Sequence, residues 1–571
     1  MKYTGAQILL ESLLHEDINL IFGYPGGATL PIYDALGNYP IRHVLGRHEQ
    51  GLTHMADGFA RASGKVGVAL ATSGPGATNM VTGIATAMMD SSPIVCLTGQ
   101  VTSSLIGYDA FQETDITGIT LPITKHNYLV TDVHDIAHTI REAFYVARTG
   151  RPGPVLVDIA KDAQQESIEW AFDDSPVRLP GYRPDLRPLP ADLQRAMEMI
   201  AAAKRPVILA GRGVLLSNAM PQLREFAERA QIPVAMTLLG LGSFPASHPL
   251  ALGMMGMHGE SWTNHAIQEA DLLLAFGMRF DDRVTGNLKT YAPNAKKIHI
   301  DIDPSEINKN LKVDVALIGD LRETLEQLLP HLETCNLRDH QEWVDHIHAM
   351  KEEVRPRDIQ NLPDVGKLFA AHVINDLWRY TDGQALVVTD VGQHQMWTAQ
   401  YYWQDQPHNL VTSGGLGTMG FGLPAGIGAK LARPDANVWV ICGDGGFQMT
   451  QAELATAAQE GVKVNVAIIN NGYLGMVRQW QEFFYDRRYI GTPMRNPDFV
   501  KIAEAHGLCG LRVTRRSEVE EAIRKAHETE GAVVIDFRVE SEDSVYPMVP
   551  TGAALDAMIR RPVQEMEFDQ I

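Results

Sequence analysis

The sequence predicts an α/β protein made of three doubly wound parallel-sheet domains. Three observations carry that expectation. At 571 residues the chain exceeds what one hydrophobic core supports. Short apolar runs alternate with helical stretches along its length, as strands do when crossover helices cover both faces of a sheet. Two stretches interrupt the alternation, one rich in proline (residues 176–184) and one rich in charge (residues 338–363). Domains at 1–165, 188–340 and 366–571 follow, joined by linkers at 166–187 and 341–365.

In the first unit, residues 20–23, 41–45, 66–71, 93–97 and 154–159 read as strands, with helices over 51–62 and 79–89 between them. Pro176, Pro180, Gly181 and Pro184 then rule out a helix or a central strand, which makes this stretch a linker. Strands of the second unit fall at 206–210, 234–237, 272–276 and 297–301. Those of the third fall at 385–389, 438–442, 464–469 and 532–537. The first and third units alternate alike, without a clear repeat in sequence.

Composition narrows the class. A net charge of −20 repels nucleic acid and anionic membranes, so small anionic substrates would need a locally positive pocket. No apolar run is long enough to span a bilayer. Cys96, Cys335, Cys442 and Cys509 lie far apart with no CxxC spacing, which argues against a disulfide framework or a zinc site and for a reducing compartment. The opening Met1-Lys2-Tyr3-Thr4-Gly5-Ala6 has no signal-peptide apolar region, so a cytoplasmic location is expected.

Chemistry enters at two successive strand ends of the third unit. Gly443-Asp444-Gly445 closes one apolar run, and Asn470-Asn471-Gly472 closes the next. Mg²⁺ takes near-octahedral oxygen ligation and keeps substrate phosphates in its shell, so Asp444, Asn471 and the carbonyl of Tyr473 would hold it against a diphosphate. Together the two strand ends look like the thiamine diphosphate motif. A carboxyl group must then activate that cofactor through its aminopyrimidine, and Glu49, in Arg47-His48-Glu49-Gln50, is the candidate. A buried carboxyl is expected there. The zincin reading fails because Leu52 stands where a second histidine is needed.

Other motifs leave alternatives open. Gly415-Leu416-Gly417-Thr418-Met419-Gly420 fits a dinucleotide fingerprint, but Asp435 lies in a polar turn and not at a strand end. The alternative is that these glycines bring backbone close to a cofactor, with Met419 as an apolar wedge. Thr72-Ser73-Gly74-Pro75-Gly76 lacks the first glycine of a nucleophile elbow. Strand-end Gly277 to Arg283 and Asp301 to Asp303 suit either a nucleotide site or a salt-bridged loop.

With these residues in view the chain resembles the catalytic subunits of acetohydroxyacid synthase (acetolactate synthase). Carriers of the resemblance are Gly23-Tyr24-Pro25-Gly26-Gly27-Ala28, Arg47 to Gln50, Thr72 to Asn79, Asp109-Ala110-Phe111-Gln112-Glu113, Gly253 to Gly259, Arg279 to Arg283, Val391 to Gln395 and Asn471 to Trp480. The family implies pyrimidine-binding, central FAD-binding and diphosphate-binding domains, with Mg²⁺, and two chains sharing each thiamine diphosphate site. By position, Gly27, Lys161 and Gln112 join Glu49 in the catalytic set. Pro75, Asn79, Gln393, His394, Met419, Gly443, Gly445 and Met476 would contact thiamine diphosphate. FAD would be lined by Arg151, Gly211, Gly213, Thr237, Leu238, Met255, Gly256, Met257, His258, Gly277, Met278, Arg279, Phe280, Asp281, Asp301, Ile302, Asp320 and Leu321. Phe111, Met257, Arg283 and Trp480 would form the substrate channel, with Thr102 and Gly472 the visible departures from the family pattern. The implied reaction decarboxylates pyruvate and transfers the hydroxyethyl unit to pyruvate or 2-ketobutyrate, opening branched-chain amino-acid biosynthesis. A homodimer or homotetramer and a separate small regulatory subunit are the implied partners. The competing readings are a catabolic acetolactate synthase without FAD, a pyruvate oxidase that uses its flavin, an NAD-dependent oxidoreductase and a non-catalytic nucleotide-binding scaffold.

Overall fold

Three six-stranded sheets form the scaffold of the computed structural model, which describes residues 1–355, 358–361 and 366–562. All three are parallel throughout. The first runs Arg42–Leu45, Leu20–Gly23, Gly67–Ala71, Ile94–Gln100, Val155–Ala160, His126–Val130. The second runs Ala251–Met254, Val234–Met236, Pro206–Ala210, Leu272–Phe276, Lys296–Asp301, Val315–Ile318. The third runs Leu410–Val411, Leu386–Thr389, Val438–Gly443, Asn465–Asn470, Val533–Arg538, Cys509–Val513. Numbered by sequence within each sheet, the order is 2-1-3-4-6-5 in the first and third and 3-2-1-4-5-6 in the second. The likeness that sequence failed to show between the outer units is therefore one of topology.

Each predicted apolar run carries a strand, because strands such as Val155–Ala160 and Val438–Gly443 are buried along their whole length and must be apolar on both faces. The expected linkers hold more structure than proline or charge suggests. Ser167–Glu169 pairs antiparallel with Lys2–Thr4. Much of the charged second stretch is the helix Gln341–Val354, which buries Trp343, Val344 and Ile347 against the second domain. This corrects the reading of that stretch as a plain connection: the charges lie on the helix's outer face. Residues 356–357 and 362–365 of the same stretch lie outside the described residues. Among the described residues no helix is long and apolar enough to cross a membrane.

The first and third domains share one core. Phe22, Leu52, Met55 and Ala56 bury against Leu386, Val388, Ile427 and Val440 in a single cluster. Its centre is a helix pair, Glu49–Ser63 on Gly422–Ala432. Side chains are absent where the two backbones meet: a Cβ on Gly428 would lie 1.9 Å from the Met55 carbonyl oxygen, and one on Gly58 would lie 2.1 Å from that of Ala425. The third domain also holds the start of the first helix. Buried Glu453 accepts from the N–H groups of Arg47 and His48, both at 3.1 Å, where a carboxylate meets the positive end of the helix.

A methyl group at Gly428 must push these helices apart or distort one of them. Gly428→Ala should therefore destabilise by about 1–3 kcal/mol or more and lower the denaturation midpoint. An unchanged midpoint would show that the helices can slide apart without loss.

Candidate active site

Ligands in open α/β sheets bind beyond the carboxyl ends of the strands where the strand order reverses. In the third sheet that point lies between Leu386–Thr389 and Val438–Gly443, and in the first between Leu20–Gly23 and Gly67–Ala71. In the second it lies between Pro206–Ala210 and Leu272–Phe276. The residues singled out in the sequence gather at these three places.

At the third sheet, Asp444 opens the helix Asp444–Thr450 directly behind its strand and is buried. Its Oδ2 accepts from the Gly472 N–H at 3.1 Å and from Asn496 Nδ2 at 2.5 Å. Burial pushes the Asp444 carboxyl up to about 6 despite these neutral donors, an environment that a cation would relieve. Asn471 turns its amide nitrogen to Gln393 Oε1 (3.1 Å), and its Oδ1 accepts from the Tyr473 N–H (3.1 Å). Gly472, at φ +71°, makes the tight turn that aims its N–H at Asp444. Behind the turn, Gln393 Nε2 donates to Gln479 Oε1 at 2.9 Å and to the Asp543 carbonyl at 3.1 Å. Gln393, His394, Met419, Gly443, Asp444, Gly445, Asn471, Tyr473 and Met476 all line one small cavity. His394 is held neutral by burial, its pKa lowered to about 3, and its Nε2 is buried without a partner. In the tautomer protonated at Nε2 that atom would donate to a phosphate oxygen, and a Cβ on Gly443 would lie 2.9 Å from the imidazole. Among the described residues no three His, Cys, Asp or Glu side chains gather to hold a metal. An ion here would therefore rest on the single carboxylate of Asp444 with neutral oxygens, as Mg²⁺ does beside phosphates.

At the first sheet, Glu49 begins the helix Glu49–Ser63 and accepts from Asn79 Nδ2 at 2.9 Å. Pro75 starts the short helix Pro75–Asn79 that carries this asparagine. Gly74 lies against Gln112, which holds the left-handed φ of +60°. Glu49 is half-buried, which corrects the expectation of a buried carboxyl for the single chain. Neither Glu49 nor Gln112, Gly27 or Lys161 lines the cavity of Asp444. Phe111 is 88% exposed and stands apart from the other predicted channel residues.

At the second sheet a cavity of about 1170 Å³ opens. Arg151, Gly213, Thr237, Leu238, Met255, Met257, His258, Gly277 to Asp281, Asp301, Ile302, Asp320 and Leu321 line it. Gly211 and Gly256 do not, which corrects their expected place on the wall: Cβ atoms there would strike the Gly277 carbonyl at 2.3 Å and the Arg283 carbonyl at 2.4 Å. They permit close backbone approach beneath it. The 3-2-1-4-5-6 order is that of dinucleotide-binding sheets, and Gly213 N–H donates to the Gly277 carbonyl at 3.0 Å across the crevice mouth. Arg151 crosses from the first domain to Glu306 (2.7 Å) and Asp303 (3.2 Å). Buried His258 stays neutral, its pKa lowered to about 4 by burial, with Nδ1 unpartnered.

Val391, Gly392 and Met476 line both this cavity and the small one, so the two adjoin. Trp480 lines the larger cavity one helical turn from Met476, and the Arg283 guanidinium lies 6.0 Å from the centre of its ring, a contact sequence spacing did not show. Sequence reading also missed Asp390, Asp90, Glu453 and Asn496. Asp390 stands at a strand end much as Asp444 does, and that position was its one legible signal. Asp90 and Glu453 act on backbone N–H groups and Asn496 on the side chains of Asp444 and Asn470, and none of them leaves a pattern in the sequence.

The description "Thiamine pyrophosphate enzyme, N-terminal TPP binding domain" matches residues 3–119, the central domain of the same enzymes residues 193–328, and their C-terminal TPP binding domain residues 390–537. The acetolactate synthase large subunit of Corynebacterium glutamicum is 49% identical over 97% of this chain and 89% of its own length. That of Haemophilus influenzae is 43% identical over 99% of both chains. The probable acetolactate synthase large subunit of Methanocaldococcus jannaschii is 45% identical over 99% of this chain and 98% of its own. Three domains matched in order, and relatives aligned nearly end to end, mean that this chain belongs to the thiamine pyrophosphate enzymes, in the family of acetolactate synthase large subunits.

Proposed function

We propose that this chain catalyses the joining of two 2-keto acids with loss of CO₂: two pyruvates give 2-acetolactate and CO₂, and pyruvate with 2-ketobutyrate gives 2-aceto-2-hydroxybutyrate and CO₂. The observation that carries the reading is the buried Asp444–Asn471 turn beside the unpartnered His394 Nε2 at the third sheet's switch point. When bound, thiamine diphosphate supplies the electron sink that decarboxylation of a 2-keto acid requires. Asp444, Asn471 Oδ1 and the Tyr473 carbonyl would hold its Mg²⁺, and Gln393, His394, Gly443 and Gly445 would surround its diphosphate. Met419 and Met476 give this cavity apolar surface. Glu49 would hold and return a proton at its carboxyl oxygen, positioned by Asn79. Arg283 would pair with a substrate carboxylate in the larger cavity, with the Trp480 indole beside it. FAD suits the larger cavity and has no net redox part in a reaction that consumes no electrons.

Each site would need two chains. Glu49 does not line the Asp444 cavity of its own chain, and Tyr108 and Phe111 are 78% and 88% exposed. A second copy would bring its Glu49 surface onto the Asp444 cavity and cover these rings. A separate small regulatory subunit and a cytoplasmic location accord with the same family reading.

The purified protein, supplied with thiamine diphosphate, Mg²⁺ and pyruvate, should form a product that gives the acetoin colour after acidification, without stoichiometric oxygen uptake. Oxygen consumed in step with pyruvate would instead identify an oxidase.

Site sharing has its own test. Glu49→Gln and Asp444→Asn chains should each be nearly inactive, yet mixing them under exchange conditions should restore about a quarter of normal activity, since half the dimers then hold one intact site. No recovery despite demonstrated exchange would put both residues in one chain's site.

Trp480 and Arg283 should differ in effect. An indole packing on the extra methylene of 2-ketobutyrate is worth about 1–3 kcal/mol, so Trp480→Leu should cut the preference for that acceptor severalfold or more. Arg283→Lys should weaken both acceptors alike. Measuring the two products in competition decides the point, and an unaltered ratio in the Trp480 variant removes it from the site.

A further inference from the structure

Residues 413–422 bridge the two cavities. Gly415, Leu416 and Gly417 line the larger one and Met419 the smaller, yet the segment before Gly422 belongs to no helix or strand. Buried carboxylates take its backbone N–H groups instead. Gly420 and Gly422 donate to Asp390 at 3.1 and 2.8 Å, within the third domain. Gly414 and Gly415 donate to Asp90 at 3.1 and 2.7 Å, and Asp90 belongs to the first domain, at the end of the helix Val81–Asp90.

Asp90 is itself held by two arginines. Arg61 Nη1 lies 3.0 Å from its Oδ2 and donates to the Thr412 carbonyl at 2.7 Å, while the rest of that guanidinium grips Asp57 at 2.7 and 2.8 Å. Arg212, on the wall of the larger cavity, donates to the Asp90 carbonyl and to Ser92 Oγ. One turn back on the Asp90 helix, Thr86 Oγ1 meets Thr418 Oγ1 at 2.7 Å, next to Met419. Asp90 is 2% exposed, so its charge is sustained by these partners and not by water. The fit is close on the loop side as well: a Cβ on Gly415 would lie 2.8 Å from Asp90 Oδ1 and 2.9 Å from Met89 Cβ. This also explains the fingerprint-like Gly415-Leu416-Gly417 differently from the reading that its glycines admit a cofactor. Gly415 admits Asp90.

We propose that Asp90, fixed by Arg61, is a positioning residue of the diphosphate site: from the first domain it sets the loop that presents Met419 to the small cavity. The proposal rests on the reading of that cavity as the thiamine diphosphate site. Asp90 acts only through the loop, so its loss should matter only while Met419 is there to be presented.

The test is calorimetric titration of the FAD-replete chain, freed of thiamine diphosphate, with thiamine diphosphate and Mg²⁺. Asp90→Asn keeps shape but gives up the charge-assisted bonds to Gly414 and Gly415, and should weaken binding about tenfold or more. Gly415→Ala, which displaces the loop with all charges intact, should weaken it comparably and serves if Asp90→Asn does not fold. In a Met419→Ala background either change should cost much less than it does alone. Equal binding by the variants and the unmodified chain would overturn the proposal, as would the same factor of loss with and without Met419. Absence of binding by the unmodified chain would instead overturn the assignment of the cavity.

Discussion

The contact on which the rest depends is the helix pair Glu49–Ser63 and Gly422–Ala432. By allowing backbone to meet backbone it merges the first and third domains into one core and fixes the relative direction of their sheets. Both ends of the interface are then locked by charge, at Glu453 over the start of the first helix and at Arg61 with Asp57 and Asp90 near its end. Within one chain, Glu49 does not line the cavity that holds Asp444.

Burial governs the electrostatics of what is presented. The chain is strongly acidic, yet its site groups are held toward neutrality: Asp444 and Asp390 are pushed up to about 6, and His394 and His258 down to about 3 and 4. Desolvation is the leading cause for all four, so the protein site is set by exclusion of water more than by neighbouring charge. A magnesium diphosphate, as proposed for this place, would supply a cation to Asp444 and an acceptor to His394 together. Neither partner alone would meet both needs.

Legibility in the sequence followed burial too. Central strands announced themselves because both faces are covered, whereas His126–Val130, Ala251–Met254, Val315–Ile318, Leu410–Val411 and Cys509–Val513 were not read. All five are edge strands, where one neighbour is missing; His126–Val130 is polar and Leu410–Val411 very short, whereas Val315–Ile318 is apolar and was passed over despite its pattern. The helix Gln341–Val354 hid behind its charged outer face. In the site, Asp444 and Asn471 were readable because strand-end chemistry is local. The contact of Arg283 with Trp480 and the hold of Asp90 on Gly415 join distant segments, and no spacing rule encodes them. The cofactor's need for a carboxyl pointed to Glu49, and the structure shows it half-exposed.

The shared core also has a consequence during synthesis. Leu52, Met55 and Ala56 find their partners in residues made only after the whole second domain has been translated. An emerging first domain therefore carries an uncovered apolar helix face for most of the time the ribosome spends on the chain, a surface on which chaperones or other nascent chains would act. The second domain's core clusters consist mostly of its own residues, so much of it can fold in the interval, although Val549 and Leu555 near the end of the chain complete one of them. Completion of the chain, more than that of any single domain, closes the fold.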